Sequence, residues 1–224
     1  SFLDNQTHYS ILDSIISPKD LFKKAKELNI QAVAVTDHGS LAGAWDCLKE
    51  SKNSGVKLII GCEMYFTDDV KNKEDKLRHI ILLAKNAEGY KNLLLLNYSG
   101  FLNGIVTPKR VVPTIDWQLL EKYNEGLICL TSCGNGIISK LLNNKKFEEA
   151  ENVASRLKNI FKDNLGLEIQ ANNMKRFANN YNDEIDQQFT NRQIIKLAEK
   201  LNIKVVPTSN SHYILKDDYL KHDT

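Results

Sequence analysis

The sequence predicts an α/β fold in which buried strands alternate with helices and close into a barrel. Short apolar, β-branched runs, such as the one at 32–35, have the composition of fully buried strands. Segments of helical periodicity follow these runs after short connections, a pattern typical of parallel strands joined by crossover helices. Seven or eight such units in 224 residues favour a closed βα barrel over an open sheet. No shift in composition marks a boundary, so we expect one domain over residues 1–224.

The first predicted elements are a short strand-like start at Phe2 and Leu3 and a helix that begins at Pro18. Ser17 is a suitable N-cap for this helix, and proline fits the first helical position. Asn29 ends the helix, and the predicted strand 32–35 follows. The remaining strands are predicted at 58–60, 79–84, 127–131, 165–169 and 204–208, and the remaining helices at 41–51, 88–98, 117–123, 137–142, 147–161 and 189–201. The predicted polar loops are 68–75 and 172–186.

Charge and composition exclude several classes of protein. Thirty basic and 28 acidic residues give a net charge of +2, which does not identify a nucleic-acid-binding protein. No apolar run approaches the roughly 18 residues that span a bilayer, so we expect no membrane contact. The four cysteines do not form a disulfide-scaffold pattern, which favours a reducing, cytoplasmic environment.

Side chains that bind metals or transfer protons cluster where the predicted strands end. These residues are Asp4, Gln6, His8 and Asp13 near the first strand, Asp37, His38, Glu63, Cys133, Asn210 and His212 after later strands, and His79 at the start of its strand. Because the carboxyl ends of parallel strands meet at one rim of a barrel, most of these side chains are expected to converge. Histidine, carboxylate and thiolate groups suit zinc, manganese or iron, and such a site activates water and binds phosphate.

Each of these residues also has a purely structural interpretation. Asp37 and Ser40 would cap the next helix, His212 would be a hydrogen-bonded structural group, and Cys133 would be a small packing residue. Other chemistries are less well supported, because the chain has no Gly-rich phosphate loop and no serine in a nucleophile elbow.

Several short motifs occur together in an order and spacing that resemble the PHP (polymerase and histidinol phosphatase) domain family, and within it the domains of bacterial DNA polymerase III alpha subunits. The motifs are the segment 9–13, Thr36-Asp37-His38-Gly39, Gly61-Cys62-Glu63, His79 with Leu82-Leu83-Ala84-Lys85-Asn86, Ser132-Cys133-Gly134, Leu167-Glu168-Ile169-Gln170 and His212-Tyr213. The resemblance covers nearly the whole chain. It implies a distorted seven-stranded βα barrel of the PHP type with up to three zinc, manganese or iron ions.

The resemblance also implies which residues form the site. The metal ligands would be Asp13, His38, Glu63, His79, Cys133 and His212. Asp37 would orient His38, and the resemblance assigns catalysis to His38, Asp37 and His212.

Three ligand positions depart from the family pattern. In an ungapped register the opening His-x-His falls on Asp4 and Gln6, whereas a register with one residue deleted places Gln6 and His8 there. We favour the ungapped register because Thr7 then also matches. The closing Asp-x-His carries Asn210 in place of the aspartate. Neutral amides bind transition metals poorly, so we expect either a site with one or two ions or a polar site with none.

The expected function is that of the PHP domain of a bacterial-type replicative DNA polymerase, either within a longer chain or as a stand-alone, phage-like protein. Its own activity would be that of a metal-dependent 3′–5′ exonuclease or phosphoesterase, weakened by the substitutions. The alternatives are a non-catalytic structural domain and a stand-alone phosphoesterase of the histidinol-phosphatase type. Expected partners are the rest of the polymerase chain, DNA and a proofreading subunit.

Overall fold

A curled sheet lies at the centre of the protein, and helices pack around it. The computed structural model describes residues 3–72, 77–106, 111–170, 175–177, 184–218 and 220, without the side chains of 175–177, 184–186 and 216. The strands are β1 (Ala32–Val35), β2 (Lys57–Phe66), β3 (Arg78–Ala84), β4 (Ile105–Val106), β5 (Val111–Val112), β6 (Thr114–Ile115), β7 (Leu127–Leu130), β8 (Leu165–Gln170), β9 (Lys175–Phe177), β10 (Glu184–Asp186) and β11 (Lys204–Thr208). The helices are α1 (Pro18–Glu27), α2 (Ala44–Ser54), α3 (Ala87–Leu102), α4 (Trp117–Lys122), α5 (Ser139–Asn143), α6 (Phe147–Phe161) and α7 (Gln187–Leu201).

The main sheet has the order β1-β2-β3-β7-β8-β11, with β6 also paired to β2. This arrangement confirms the predicted α/β class and the distorted barrel. The prediction that every strand is parallel is wrong for β3, which runs antiparallel to both β2 and β7. Among the described residues no helix lies between β2 and β3, so the chain returns beside β2 without the crossover that a parallel pair needs.

Segment 4–6 lies between the two ends of this sheet. Asn5 accepts a hydrogen bond from the Thr36 backbone N–H, and its side-chain amide donates to the Ala34 carbonyl. On the other side, the Gln6 N–H donates to the Ser211 carbonyl, and Asn5 forms a parallel bridge with Ser211. The segment therefore acts as an additional short strand that joins β1 to the end of β11.

Alternation along the strands directs one set of apolar side chains towards the helices and a second set into the barrel. Polar side chains lie above this second set. In β3, Ile80 and Leu82 pack among the helices, whereas Ile81 and Leu83 belong to a second cluster with Ala34. Successive strand residues point to opposite faces, so this second cluster fills the barrel interior. The same alternation turns Glu63, His79 and Glu168 towards the interior, above that cluster.

Local signals predicted several element boundaries correctly. Ser17 caps α1 with Pro18 at its start, and Asn86 and Asp116 cap α3 and α4 through their side chains. The predicted strand 58–60 is wrong in length, because β2 continues to Phe66. Three other predictions fall partly or wholly outside the described residues. Phe2 at the chain start is not described, nor are residues 73–75 of the loop 68–75 and residues 172–174 and 178–183 of the loop 172–186. Within the second loop, β9 and β10 form an antiparallel pair.

Candidate metal centre

Three neighbouring strands bring His38, Glu63 and His79 together. His38 follows β1 and forms a parallel bridge with Glu63 on β2. His79 lies at the beginning of β3, and because β3 is reversed, its amino end reaches the same rim. One ligand atom of each residue lies within 4.8 Å of the other two. Two imidazoles and a carboxylate at this separation form a donor set that suits a divalent transition metal.

Glu63 is buried at the centre of this group, and both of its carboxylate oxygens have partners. Oε1 lies 3.0 Å from His79 Nδ1 and accepts a hydrogen bond from the Ser132 hydroxyl. Oε2 lies 3.3 Å from His38 Nδ1 and accepts from the Gln6 amide at 2.8 Å. Burial raises the pKa of Glu63, but His38 and His79 outweigh it and lower the pKa to about 2.

A chain of polar contacts continues from His38 to the end of β11. His38 Nε2 lies 2.9 Å from Asp13 Oδ2, and His212 Nδ1 lies 3.1 Å from the same oxygen. His212 Nε2 lies 3.1 Å from Asn210 Oδ1. Burial lowers the pKa of His38, but the carboxylates of Glu63 and Asp13 together raise it to about 8.

Gln6 contacts the same Glu63 oxygen as His38 does, and Asp4 lies beside Gln6. The Gln6 amide nitrogen lies 3.5 Å from Asp4 Oδ1, which also accepts from the Thr36 hydroxyl. Asp4 Oδ2 is buried and has no hydrogen-bond partner among the described residues. Burial and the Glu63 carboxylate raise the pKa of Asp4 to about 7.

Cys133 lies in a loop that packs against the start of β3. Its sulfur is 3.9 Å from Glu63 Oε1. The loop is tied to His79 by two backbone bonds, from the His79 N–H to the Asn135 carbonyl and from the Ile137 N–H to the His79 carbonyl. Burial raises the pKa of the Cys133 thiol, and Glu63 raises it further, so thiolate formation requires a compensating positive charge.

We call the side chains that the structure brings together the polar cup. Its members are Asp4, Gln6, Asp13, His38, Glu63, His79, Cys133, Asn210 and His212. His8 is outside the polar cup, because its side chain is exposed and its ring lies tilted beside that of Tyr9. The ungapped register therefore places two buried residues beside Glu63, whereas the shifted register would include an exposed one.

Asp37 was expected to orient His38, but its carboxylate bonds to other residues and not to the His38 ring. Its buried carboxylate accepts hydrogen bonds from the backbone and hydroxyl of Thr7 and from the Ser10 hydroxyl. The Ser10 oxygen in turn accepts from the His38 backbone N–H. Asp37 thus holds the 7–10 segment, and the ring of His38 is positioned by Asp13 and Glu63.

The electrostatics of the polar cup fit a bound cation. Burial and the Glu63 carboxylate raise the pKa of Asp4, and burial and the Asp4 carboxylate raise the pKa of the buried Glu168 well above its ordinary value. A buried carboxylate group of this kind is destabilising unless cations or protons compensate it. With the unpartnered Asp4 oxygen and the His-Glu-His donor set, these residues fit a divalent metal.

Sequence reasoning did not assign a site role to Glu168, Ser132 or Tyr65. Glu168 accepts from the Ser132 N–H and from the Thr208 hydroxyl at the floor of the polar cup. Tyr65 stacks on the His38 ring and meets His79 edge-on. The signal for Glu168 is strand alternation: Leu165 and Leu167 face the helices, so Glu168 must face the interior.

Comparison with known proteins identifies sequence relatives. The PHP domain family model matches residues 3–172. The chain is 37% identical over 227 residues to the DNA polymerase III subunit alpha of Aquifex aeolicus, covering 96% of this chain and 18% of that protein. It is 38% identical over 221 residues to the subunit alpha of Borreliella burgdorferi, with the same two shares. The chain therefore spans less than a fifth of the length of these curated relatives.

Two solved structures share the fold at low sequence identity. A protein named as a candidate metal-dependent phosphoesterase, from Bifidobacterium adolescentis, has a TM-score of 0.55 at 13% identity and covers 95% of this chain and 87% of its own. An amidohydrolase from Chromobacterium violaceum, solved with sulfate and no metal, has a TM-score of 0.59 at 12% identity, with coverages of 94% and 87%. Among the described residues, no helix has the length and apolar character to cross a membrane.

Proposed function

Since the chain belongs to the PHP domain family, we propose that it is the single-domain PHP module of a bacterial-type replicative DNA polymerase and that its polar cup hydrolyses phosphoesters with the help of a divalent metal. The proposed substrate is the 3′ end of single-stranded DNA. The proposed partners are the remainder of a polymerase chain, DNA and a proofreading subunit. Relatives at 37% and 38% identity that are polymerase subunits support this assignment over a stand-alone phosphatase.

The observation that carries the proposal is the group of His38, Glu63 and His79. Their ligand atoms lie within 4.8 Å of one another at the rim of the barrel. Glu63 is almost fully buried, whereas the side chains of His38 and His79 keep 12% and 16% of their surface exposed. Glu63 thus holds the group inside the barrel, and the two histidines keep surface that a substrate can reach.

These three residues would hold the metal, which when bound would polarise water and offset the charge that develops on the phosphoryl oxygens. Asp13 would keep the His38 ring in place through its contact with Nε2. Ser132 would fix one Glu63 oxygen, and Tyr65 would hold the His38 ring by stacking and the His79 ring by an edge-on contact. His212, raised in pKa by its contacts with Asp13 despite its burial, would be a cationic group facing a phosphate.

The departures at Gln6 and Asn210 predict weak activity. Both place a neutral amide in the polar cup, so the site has less anionic charge to hold several cations. A non-catalytic supporting domain is the second candidate, and it is favoured by His212, whose two ring nitrogens both contact protein oxygens.

The test is hydrolysis of single-stranded DNA, pyrophosphate and a phosphomonoester by the purified protein with Mn²⁺ or Zn²⁺. We expect slow, metal-dependent release of nucleotides from the DNA. His38→Ala should lower the rate by more than about 100-fold, beyond the loss typical of a residue that only supports a ligand.

His8→Ala is the matched control, because it removes a histidine that is exposed outside the polar cup. It should retain the wild-type rate. Absence of hydrolysis of all three substrates by the wild-type protein would contradict the catalytic proposal and favour the supporting role.

A further inference from the structure

Gln6 is a neutral amide in the polar cup, and it contacts two of the carboxylates there. Its side chain is fully buried. The amide nitrogen donates to Glu63 Oε2 at 2.8 Å and lies 3.5 Å from Asp4 Oδ1. The amide thus lies between two buried carboxylates.

The orientation of this amide follows from its neighbours. A carboxylate oxygen only accepts hydrogen bonds, so the nitrogen must face Glu63. The Gln6 carbonyl oxygen is then on the other side, 2.9 Å from the Ser10 hydroxyl, which can donate to it. The Gln6 oxygen, the atom of this side chain able to bind a metal, is therefore turned away from Glu63.

The contact between Gln6 and Glu63 affects how many cations the Glu63 carboxylate can bind. A carboxylate that bridges two cations uses one oxygen for each of them. Here Oε2 accepts the Gln6 amide and lies 3.3 Å from His38 Nδ1. Oε1 accepts the Ser132 hydroxyl and lies 3.0 Å from His79 Nδ1. Each oxygen keeps one acceptor site for a cation held with the two imidazoles, whereas the Gln6 amide already lies between Glu63 and Asp4.

We propose that Gln6 limits the polar cup to a single divalent cation, held by His38, Glu63 and His79, because its amide lies between Asp4 and Glu63, where a second cation would bridge the two carboxylates. The inference rests on the proposed function and adds the number of ions and the residue that sets it. The Gln6 amide donates hydrogen bonds to Asp4 and Glu63 in place of a second ion.

The opposite end of the polar cup is consistent with one ion. His212 Nδ1 lies 2.9 Å from the Asp13 carbonyl oxygen, and Nε2 lies 3.1 Å from Asn210 Oδ1. Both ring nitrogens therefore face protein oxygens, and His212 would have to reorient before it could bind a metal.

The experiment measures bound metal per chain after dialysis against Mn²⁺ or Zn²⁺, for the wild type and for Gln6→Glu, with thermal unfolding in chelator and in excess metal. Glutamate has nearly the size of glutamine and replaces the amide donor with a carboxylate ligand. We expect one equivalent in the wild type and two in Gln6→Glu. We also expect a larger metal-dependent rise in Tm for the variant, because without metal its new carboxylate faces Asp4 and Glu63.

Gln187→Glu is the matched control. Gln187 is also buried, but its amide bonds to Asn191 Oδ1 at 3.0 Å, and it is not a member of the polar cup. This variant should bind one equivalent. If Gln6→Glu fails to fold in chelator, Gln6→His, which supplies an imidazole ligand, is compared in its place.

The outcomes separate this inference from the proposed function. Two or more equivalents in the wild type, or one equivalent in both Gln6 variants, would overturn the role of Gln6 and leave the metal centre standing. No bound metal in the wild type would overturn the metal centre itself, and the role of Gln6 with it.

Discussion

Glu63 shows at the residue scale how one side chain organises the polar cup. It contacts two histidines, the Ser132 hydroxyl and the Gln6 amide, and it is almost fully buried. Sequence reasoning identified Glu63 because it follows a buried apolar run, but it did not predict which neighbours it has. Asp37 is the converse case, since its partners Thr7 and Ser10 depend on how a loop 30 residues earlier folds back.

Metal affinity should depend on pH through His38. A metal binds the neutral imidazole, whereas the contacts with Glu63 and Asp13 keep the protonated form up to a pKa of about 8. Below that pH the metal must displace a proton, so the apparent affinity should rise by up to about tenfold per pH unit and level off above it. Competition titration with a metal indicator at several pH values measures this. A flat profile would contradict the assignment of His38 as a ligand.

The raised pKa of His38 also affects the stability of the protein in chelator, which should fall as the pH rises, whereas metal affinity should increase. The folded-state pKa of His38 lies above the value of 6.5 for a free histidine. Its protonation therefore contributes to stability fully below pH 6.5, and that contribution is lost as the pH rises through about 8.

At the scale of elements, the direction of β3 was not predictable from the sequence. In a parallel barrel, His79 at the start of its strand would lie at the rim away from the other ligands. It reaches their rim because β3 is reversed. Periodicity predicts that a strand exists but not its direction, which depends on the length and path of the connection before it. Helix starts were predictable because a cap is a local interaction: Ser17, Asn86 and Asp116 each accept from a backbone N–H three residues later.

Gly136 should be essential to the loop that holds Cys133 against β3. A Cβ at this position would lie 2.1 Å from the Thr131 carbonyl oxygen, so the loop would have to move. We expect Gly136→Ala to lower the free energy of unfolding by about 1–3 kcal/mol and to weaken metal binding. Urea unfolding and metal titration measure the two effects.

Gly134→Ala is the control in the same loop. A Cβ there would meet no atom within 4 Å, so the change should alter the free energy of unfolding by less than about 0.5 kcal/mol. Equal losses in the two variants would contradict the steric explanation.

At the scale of the whole molecule, barrel closure depends on a segment that has no strand signature in the sequence. The barrel itself was predictable from the number of alternating units, but the contribution of segment 4–6 was not, because it pairs through isolated bonds to Thr36 and Ser211. The same segment carries Asp4 and Gln6, so closure and the composition of the polar cup are linked.

Asn5→Ala should test this closure. The change removes the amide that donates to the buried Ala34 carbonyl at 2.9 Å. We expect a loss of about 1–3 kcal/mol in the free energy of unfolding, because the carbonyl loses a partner away from water. Asn53→Ala, at an exposed position in α2, should change it by less than about 0.5 kcal/mol. An equally small effect of Asn5→Ala would mean that segment 4–6 contributes little to closure.

The location of bound metal tests the account most directly. Crystals of the protein grown with Mn²⁺ or Zn²⁺ and measured at the absorption edge of that metal would show its position by anomalous scattering. We expect one peak, bounded by the ring nitrogens of His38 and His79 and a carboxylate oxygen of Glu63. The absence of a peak in the polar cup would contradict the proposed metal centre.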